Sequence, residues 1–218
     1  MLAFKNYENN ETTFQVRDAV ASMGLIASLV TANVAPGAIR GYIRTAKQLP
    51  AIQAAMENKG WQLSGTGYFS AVFVRGAVAV KIGLKKEDSG AVYAAWCRAN
   101  QGKPGVPVIH AIEHFAHCYV AVMNRLHPLD LSDPYTACEY AEVEAVFSER
   151  DERSNTFAVV NTARQILEFF RGVAAFDLTR NNVMQDDAGN LVITDPVSYS
   201  ADNDNGYTFT GAASSEQS

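Results

Sequence analysis

Three oxygen-bearing side chains near the end of the sequence have types and spacing that suit acid–base and metal chemistry. Asp177 and Asn182 are five residues apart, and Asp195 follows the apolar residues 191–194. A carboxylate can accept or orient a hydroxyl proton, and carboxylate and amide oxygens are ligands that Mg²⁺ prefers. Each residue alone is more typical of a turn or a helix cap. In this order they predict a catalytic carboxylate, Asp177, and two metal ligands, Asn182 and Asp195.

A glycine-rich run lies earlier in the chain, where Gly65 and Gly67 flank Thr66. Backbone N–H groups can approach phosphate oxygens closely where no Cβ intervenes. A Rossmann loop is disfavoured because the run continues into a strand rather than a helix. An ordinary β-turn is the alternative. The residues of this run predicted to bind a nucleotide are Gly65, Thr66, Gly67, Tyr68, Phe69, Ser70 and Val72.

Lys81 stands in an apolar strand, between Val80 and Ile82. Burying an ammonium group is costly unless an anion meets it, although a lysine on an edge strand can also reach solvent. A tight turn at residues 75–76 folds the chain between the glycine run and Lys81. The returning strand therefore brings Lys81 beside the glycine run, which favours a phosphate-binding role for Ala79 and Lys81.

The composition argues against several other classes of protein. A content of 48% hydrophobic and 19% charged residues is typical of a globular domain. The formal charge of −5 argues against a nucleic-acid groove, because phosphate backbones are held by basic surfaces. The apolar residues 19–35 are interrupted by polar side chains and predict a packing helix rather than a membrane span. We therefore expect neither a direct nucleic-acid partner nor a membrane partner.

Turn signals and periodicity outline the elements that must position these residues. Two helices before Trp61 are followed by strands with one inserted helix at residues 89–100, and then by a loop at residues 103–107. Asp133 and Ser154 are predicted to cap two further helices, and a small hairpin closes the pattern. This order predicts an α+β protein with a sheet-rich lobe, a helical lobe and a ligand cleft between them.

The ordered set of motifs resembles that of the protein kinases. Residues 65–72 resemble the loop that covers the nucleotide, with Ser70 in place of the third glycine. Residues 79–81 resemble the lysine motif of the third strand. Residues 177–182 resemble the catalytic loop, and residues 195–197 stand where the Asp-Phe-Gly motif would be.

More closely, the chain is similar to the early serine/threonine protein kinases of short-tailed lytic phages related to coliphage T7. The similarity covers about residues 60–200. The segments that carry it are residues 67–71, 85–91, 97–98, 101–102 and 193–198.

This resemblance implies an ATP- and Mg²⁺-dependent serine/threonine protein kinase that acts in the cytoplasm of the infected bacterial host. The implied substrates are host bacterial proteins, including the transcription and RNA-processing machinery. Lys81 would orient the α- and β-phosphates, and Asp177 would position the acceptor hydroxyl. Asn182 and Asp195 would hold magnesium.

The resemblance also predicts a two-lobed, protein-kinase-like fold, with a sheet-rich N-lobe and an abbreviated helical C-lobe. The helices of the extension have no counterpart in an ordinary kinase lobe and are expected to serve packing or a homodimer. The predicted parts are an N-terminal helical extension at 1–60, a catalytic domain at 61–200 with lobes at 61–124 and 125–200, and a flexible tail at 201–218.

The chain departs from the kinase pattern, and the missing helix glutamate and the short helical lobe support an alternative, a kinase-shaped inhibitor that binds a host enzyme without chemistry. The helix at residues 89–100 has no glutamate in its interior, so that Glu87 or Asp88 would have to pair with Lys81. Residues 175–176 replace the usual His-Arg pair, and almost no helical lobe follows the hairpin. A phosphotransferase for small molecules would share the same nucleotide site.

Overall fold

The computed structural model describes residues 11–33, 43–67, 70–83, 89–148, 150, 156–176 and 178–198. The chain divides into two compact units. The first unit contains residues 1–99 and 108–125, and the second contains residues 100–107 and 126–218. Both units combine helices with antiparallel strands, so the protein is α+β, as the sequence predicts.

The first unit is built on a five-stranded antiparallel sheet, and three helices accompany it in the part of the chain that the structure describes. The helices are α1 (Glu11–Asn33), α2 (Ile43–Glu57) and α3 (Ser89–Ala99). The strands are β1 (Gln62–Thr66), β2 (Ser70–Arg75), β3 (Val78–Gly83), β4 (Ile109–His114) and β5 (Tyr119–Asn124). Their order in the sheet is β1-β2-β3-β5-β4, with α3 inserted in the chain between β3 and β4.

One face of this sheet is covered by α1 and α2. Alternate residues of a strand point to opposite faces, and Phe73, Val80 and Val122 all point to the same one. They form a buried cluster with Met23 of α1 and Met56 of α2. The two N-terminal helices thus pack on the sheet and contribute to its core.

Helix α1 also holds the turn between β2 and β3. The side-chain oxygen of Gln15 accepts a hydrogen bond from the N–H of Ala77 at 3.2 Å, and Asp18 forms an ion pair with Arg75. Gly76 adopts φ 55° in this turn, where its missing side chain leaves room for Gln15. The turn predicted at residues 75–76 is present, and α1 fixes its position.

The pairing of Gly83 with Tyr119 leaves no room for a side chain at position 83. The Tyr119 ring is fully buried and lies where a Cβ would be. We expect Gly83→Ala to lower the free energy of unfolding by about 2–3 kcal/mol, because overpacking displaces the ring. Urea unfolding followed by circular dichroism measures this. Gly24→Ala, where the structure has open space in α1, is the control and should be neutral or stabilising; equal effects would contradict the argument.

Within its described residues, the second unit contains two α-helices, one 3₁₀ helix and two small sheets. Its elements are β6 (His127–Pro128), α4 (Pro134–Phe147), α5 (Ala158–Phe170), β7 (Ala175–Phe176), a 3₁₀ helix (Arg180–Asn182), β8 (Val183–Gln185), β9 (Leu191–Ile193) and β10 (Val197–Ser198). One sheet has the order β6-β8-β9, and β7 pairs with β10 in the other. Helices α4 and α5 pack against each other, and both contact β9.

The predicted starts of the two helices have different outcomes. Asp133 caps α4 as expected, since its carboxylate accepts a hydrogen bond from the N–H of Thr136 at 2.8 Å. This bond, followed by the one from the Thr136 hydroxyl, lowers the pKa of Asp133. The prediction for Ser154 is wrong, because α5 begins at Ala158; Ser154 itself lies outside the described residues. None of the described helices is long and apolar enough to cross a membrane.

Candidate active site

The hairpin of β8 and β9 brings Asn182 and Asp195 together. Asn182 is the residue before β8, and Asp195 lies two residues after β9. The backbone carbonyl of Asn182 accepts hydrogen bonds from the N–H groups of Thr194, at 2.8 Å, and of Asp195, at 3.4 Å. Both residues are partly exposed. Two oxygen-bearing side chains separated by twelve intervening residues therefore lie at the same end of one hairpin.

The turn at the other end of the hairpin explains how β8 and β9 are aligned. The Asp186 carboxylate accepts hydrogen bonds at 2.9 Å from the N–H groups of Ala188 and Asn190, and a third from the Asn190 amide. Burial opposes ionisation of Asp186, but the combined hydrogen bonds lower its pKa. The turn fixes the pairing of Val183 with Ile193, both fully buried. The positions of Asn182 and Asp195 follow from that pairing.

Asp177 lies outside the described residues, but the chain on either side of it is described. Phe176 pairs with Val197, and β10 begins two residues after Asp195. On the other side, Asn182 donates its N–H to the carbonyl of Thr179 at 2.9 Å. Both flanks of position 177 are thus joined by hydrogen bonds to the stretch that contains Asn182 and Asp195.

The glycine run forms the tight connection between β1 and β2. Gly65 pairs with Val72, and Gly67 donates its N–H to the carbonyl of Ser70 at 2.8 Å. A Cβ on Gly67 would lie 2.8 Å from the Ser70 hydroxyl oxygen, so a larger residue there would require the Ser70 side chain to rotate. Gly65 and Gly67 are exposed, as is Thr66. The remaining predicted residues of the run, Tyr68 and Phe69, lie outside the described residues.

Lys81 lies in β3 beside the strand that leaves the glycine run. It pairs with Val72 on one side and with Ala121 on the other, and directly paired residues share a face of a sheet. Val80 points to the face covered by α1 and α2, so Lys81 points to the opposite face. Ala79, which is buried, shares that opposite face. The register therefore places Val72, Ala79 and Lys81 together on one side of the sheet.

Helix α3 packs on the same face as Lys81. Its Ala91 forms a buried cluster with Tyr119 and Ala121 of β5. The helix has no acidic residue along its length, as its sequence SGAVYAAWCRA shows. Glu87 and Asp88, the predicted partners of Lys81, lie outside the described residues. The helix that follows the lysine strand thus has no carboxylate of its own to offer to Lys81.

The donors near Asp195 suit a magnesium ion shared with a nucleotide. Among the described residues, no group of three or more His, Cys, Asp and Glu side chains could form a metal site by itself. Mg²⁺ is usually held by one or two protein oxygens together with substrate phosphates and water. One amide from Asn182 and one carboxylate from Asp195 fit that requirement.

Sequence reasoning did not connect residues 100–107 with this hairpin. The glycines and prolines of the segment predicted only a loop. In the structure the carbonyl of Gly105 accepts a hydrogen bond from the N–H of Ile193 at 2.9 Å. The periodicity of the sequence does not indicate this contact, because the contact joins residues far apart in the chain.

Comparison with known proteins gave a family and a number of similar solved structures. A family model described as Bacteriophage T7 protein kinase 0.7 matches residues 17–213. No curated protein matches the chain. Rad53 1-466 in complex with AMP-PNP is 21% identical over 67% of this chain and 42% of its own, with a TM-score of 0.38. WbdD with the kinase inhibitor LY294002 is 16% identical over 62% of this chain and 32% of its own, with a TM-score of 0.34. The bifunctional kinase-methyltransferase WbdD is 16% identical over 65% of this chain and 34% of its own, with a TM-score of 0.32. The chain thus spans less than half the length of these structures.

Proposed function

Because the chain belongs to the Bacteriophage T7 protein kinase family, whose model matches residues 17–213, we propose that it is an ATP- and Mg²⁺-dependent serine/threonine protein kinase. The family and the α+β, protein-kinase-like fold agree with the sequence analysis. A lysine on the third strand of the sheet and a helix after that strand are parts of this fold. The observation that carries the proposal is the adjacency of Asn182 and Asp195 at one end of a hairpin.

In the proposed reaction each residue acts through position and charge. The Lys81 ammonium binds the α- and β-phosphates, and the exposed glycine run covers the phosphate chain. Asp177 orients the acceptor hydroxyl and takes up its proton, while Asn182 and Asp195 hold the metal. Magnesium, when bound with the nucleotide, neutralises the charge that develops on the β- and γ-phosphate oxygens. Most of the rate gain then comes from alignment and electrostatic stabilisation.

The charge distribution supports a basic protein acceptor. The first unit carries 12 Lys and Arg and 7 Asp and Glu, a net charge of +5, whereas the second carries 6 and 16, a net charge of −10. The second unit contains Asp177 and the metal ligands, so we expect acceptor segments rich in Arg and Lys to be attracted to it. Host proteins that bind nucleic acids, among them the transcription and RNA-processing machinery in the bacterial cytoplasm, present such segments.

A transfer assay with matched acceptors tests this proposal. Purified protein, labelled ATP and Mg²⁺ are incubated with two pools of Ser/Thr peptides that differ only in Arg/Lys or Asp/Glu flanks. We expect about tenfold faster labelling of the basic pool, an advantage that falls with rising salt, and none after chelation of magnesium. A basic pool with Tyr as acceptor is the control for residue specificity. Absence of transfer to any pool or to a bacterial lysate contradicts kinase activity; equal rates contradict only the acceptor charge.

The absence of an acidic residue from α3 supports a second candidate, the inhibitor that binds a host enzyme without chemistry. A kinase and such an inhibitor differ in their response to nucleotide. ATP raises the melting temperature of the kinase only when magnesium is present, because ligand binding stabilises the folded state. An inhibitor that forms a tight host complex shows no such rise.

A further inference from the structure

Residues 100–107 connect α3 to β4 along the chain, yet they pack within the second unit. Two contacts of this segment are with α5 and β9 of that unit. The ammonium of Lys103 donates hydrogen bonds to Gln165 of α5 and to Asn100 within the segment. Gly105 accepts the hydrogen bond from Ile193 of β9. The segment is therefore tied to the strand that leads to Asp195.

The bond from Ile193 uses the outer edge of β9. This strand is the last in the order β6-β8-β9, so among the described strands only one of its edges is paired. The N–H of Thr194 points inward to Asn182, and the N–H of Ile193 points outward to Gly105. Such alternation is the normal pattern of a strand that is paired on both sides. Gly105 thus supplies at this position the partner that a further strand would provide.

Position 105 accepts only glycine for two separate reasons. Its φ is 77°, a conformation that residues with a Cβ rarely adopt. A Cβ there would overlap a methyl group of Val159 in α5, and would lie 3.6 Å from the carbonyl oxygen of Leu191 in β9. The backbone at Gly105 therefore lies in direct contact with both α5 and β9, and a larger residue would overlap α5 and displace the segment that is bonded to β9.

We propose that Gly105 is a positioning residue for Asp195. Its contact with Val159 and its bond to Ile193 fix the end of β9, and Asp195 follows that end by two residues. The inference rests on the proposed kinase activity and adds a residue that touches neither nucleotide nor metal. Displacement of β9 would move the Asp195 carboxylate relative to Asn182 and so weaken the metal site rather than the nucleotide-binding glycine run.

The structure provides a matched pair of variants. Gly102 lies in the same segment with φ 90°, but a Cβ there meets nothing within 4 Å. Gly102→Ala and Gly105→Ala therefore impose similar backbone strain, and only the second also overlaps Val159 of α5. Adding Val159→Ala to Gly105→Ala removes the overlapping methyl groups and leaves the strain unchanged.

The experiment is a magnesium titration of the transfer rate at saturating ATP, with hydrogen exchange of the peptide that contains Ile193 as a second readout. We expect Gly105→Ala to raise the magnesium concentration for half-maximal rate about tenfold or more and to speed exchange of that peptide. Gly102→Ala should change the half-maximal magnesium concentration and the exchange rate less than twofold. The double variant Gly105→Ala/Val159→Ala should return most of the way to the half-maximal magnesium concentration of the unmodified protein.

Three results separate the possibilities. A loss of rate in Gly105→Ala at unchanged magnesium dependence, or unchanged exchange of the Ile193 peptide, overturns the positioning role. Equal effects of Gly102→Ala and Gly105→Ala also overturn it, because backbone strain alone would then account for them. If the unmodified chain transfers no phosphate, the proposed kinase activity itself fails.

Discussion

Asp195→Asn is expected to reduce phosphoryl transfer by about 10³-fold or more while the protein stays folded. The substitution keeps the size of the side chain and removes one negative charge, so the affinity for a divalent cation falls. Charge neutralisation at the transferring phosphate contributes several kcal/mol to such reactions, and each 1.36 kcal/mol is tenfold in rate. The stabilisation of the protein by ATP should also lose its dependence on magnesium.

The same hairpin provides a control carboxylate at its opposite end. Asp187 is exposed and pairs with His127 at 2.8 Å, in the turn rather than at the end that contains Asn182. Asp187→Asn changes the net charge by the same amount, and we expect it to alter the rate less than threefold, as for an exposed ion pair. Transfer of labelled phosphate and thermal unfolding are measured for both variants. Full activity of folded Asp195→Asn would remove that residue from the metal site.

The adjacency of Asn182 and Asp195 is consistent with their predicted shared role. It could be predicted because the hairpin between them is formed by residues that are close in sequence. Turn residues at 185–190 and short apolar strands on either side indicate a hairpin, and a hairpin returns the chain to its starting point. The side of the sheet that holds Lys81 likewise follows from the alternation of side chains in β3. Both inferences need only neighbouring residues.

Other features depend on contacts that no local pattern encodes. The packing of α1 on the sheet and the pairing of Asp18 with Arg75 join residues 57 positions apart. The contact of Gly105 with Ile193 joins residues even further apart in the chain, and it depends on how two elements of the second unit meet. The start of α5 also differs from the expectation, since Ser154 is a good capping residue but tertiary packing buries Phe157 at the helix start instead. Propensity is a weak guide where packing decides.

Lys81→Met is expected to lower kcat/KM for ATP by about 10²–10³-fold, equivalent to roughly 3–4 kcal/mol of lost transition-state stabilisation. Methionine retains the length of the aliphatic chain and the packing of β3, but it has no charge to bind phosphate. Because methionine keeps the apolar contacts of this half-buried side chain, the protein should stay folded, which thermal unfolding measures. Loss of activity with retained stability is therefore the result that distinguishes a phosphate ligand from a structural lysine.

Lys59→Met is the matched control for this prediction. Lys59 belongs to the same unit, and its ammonium lies 3.4 Å from the Ser22 hydroxyl of α1, on the helix-covered side of the sheet. The Lys59→Met substitution removes the same charge as Lys81→Met, and we expect a rate within twofold of that of the unmodified protein. If Lys81→Met and Lys59→Met have equal, small effects, Lys81 is a strand lysine that reaches solvent, the alternative that its sequence context leaves open. If only Lys81→Met has a large effect, the positive charge that the reaction needs lies on the face of the sheet opposite α1 and α2.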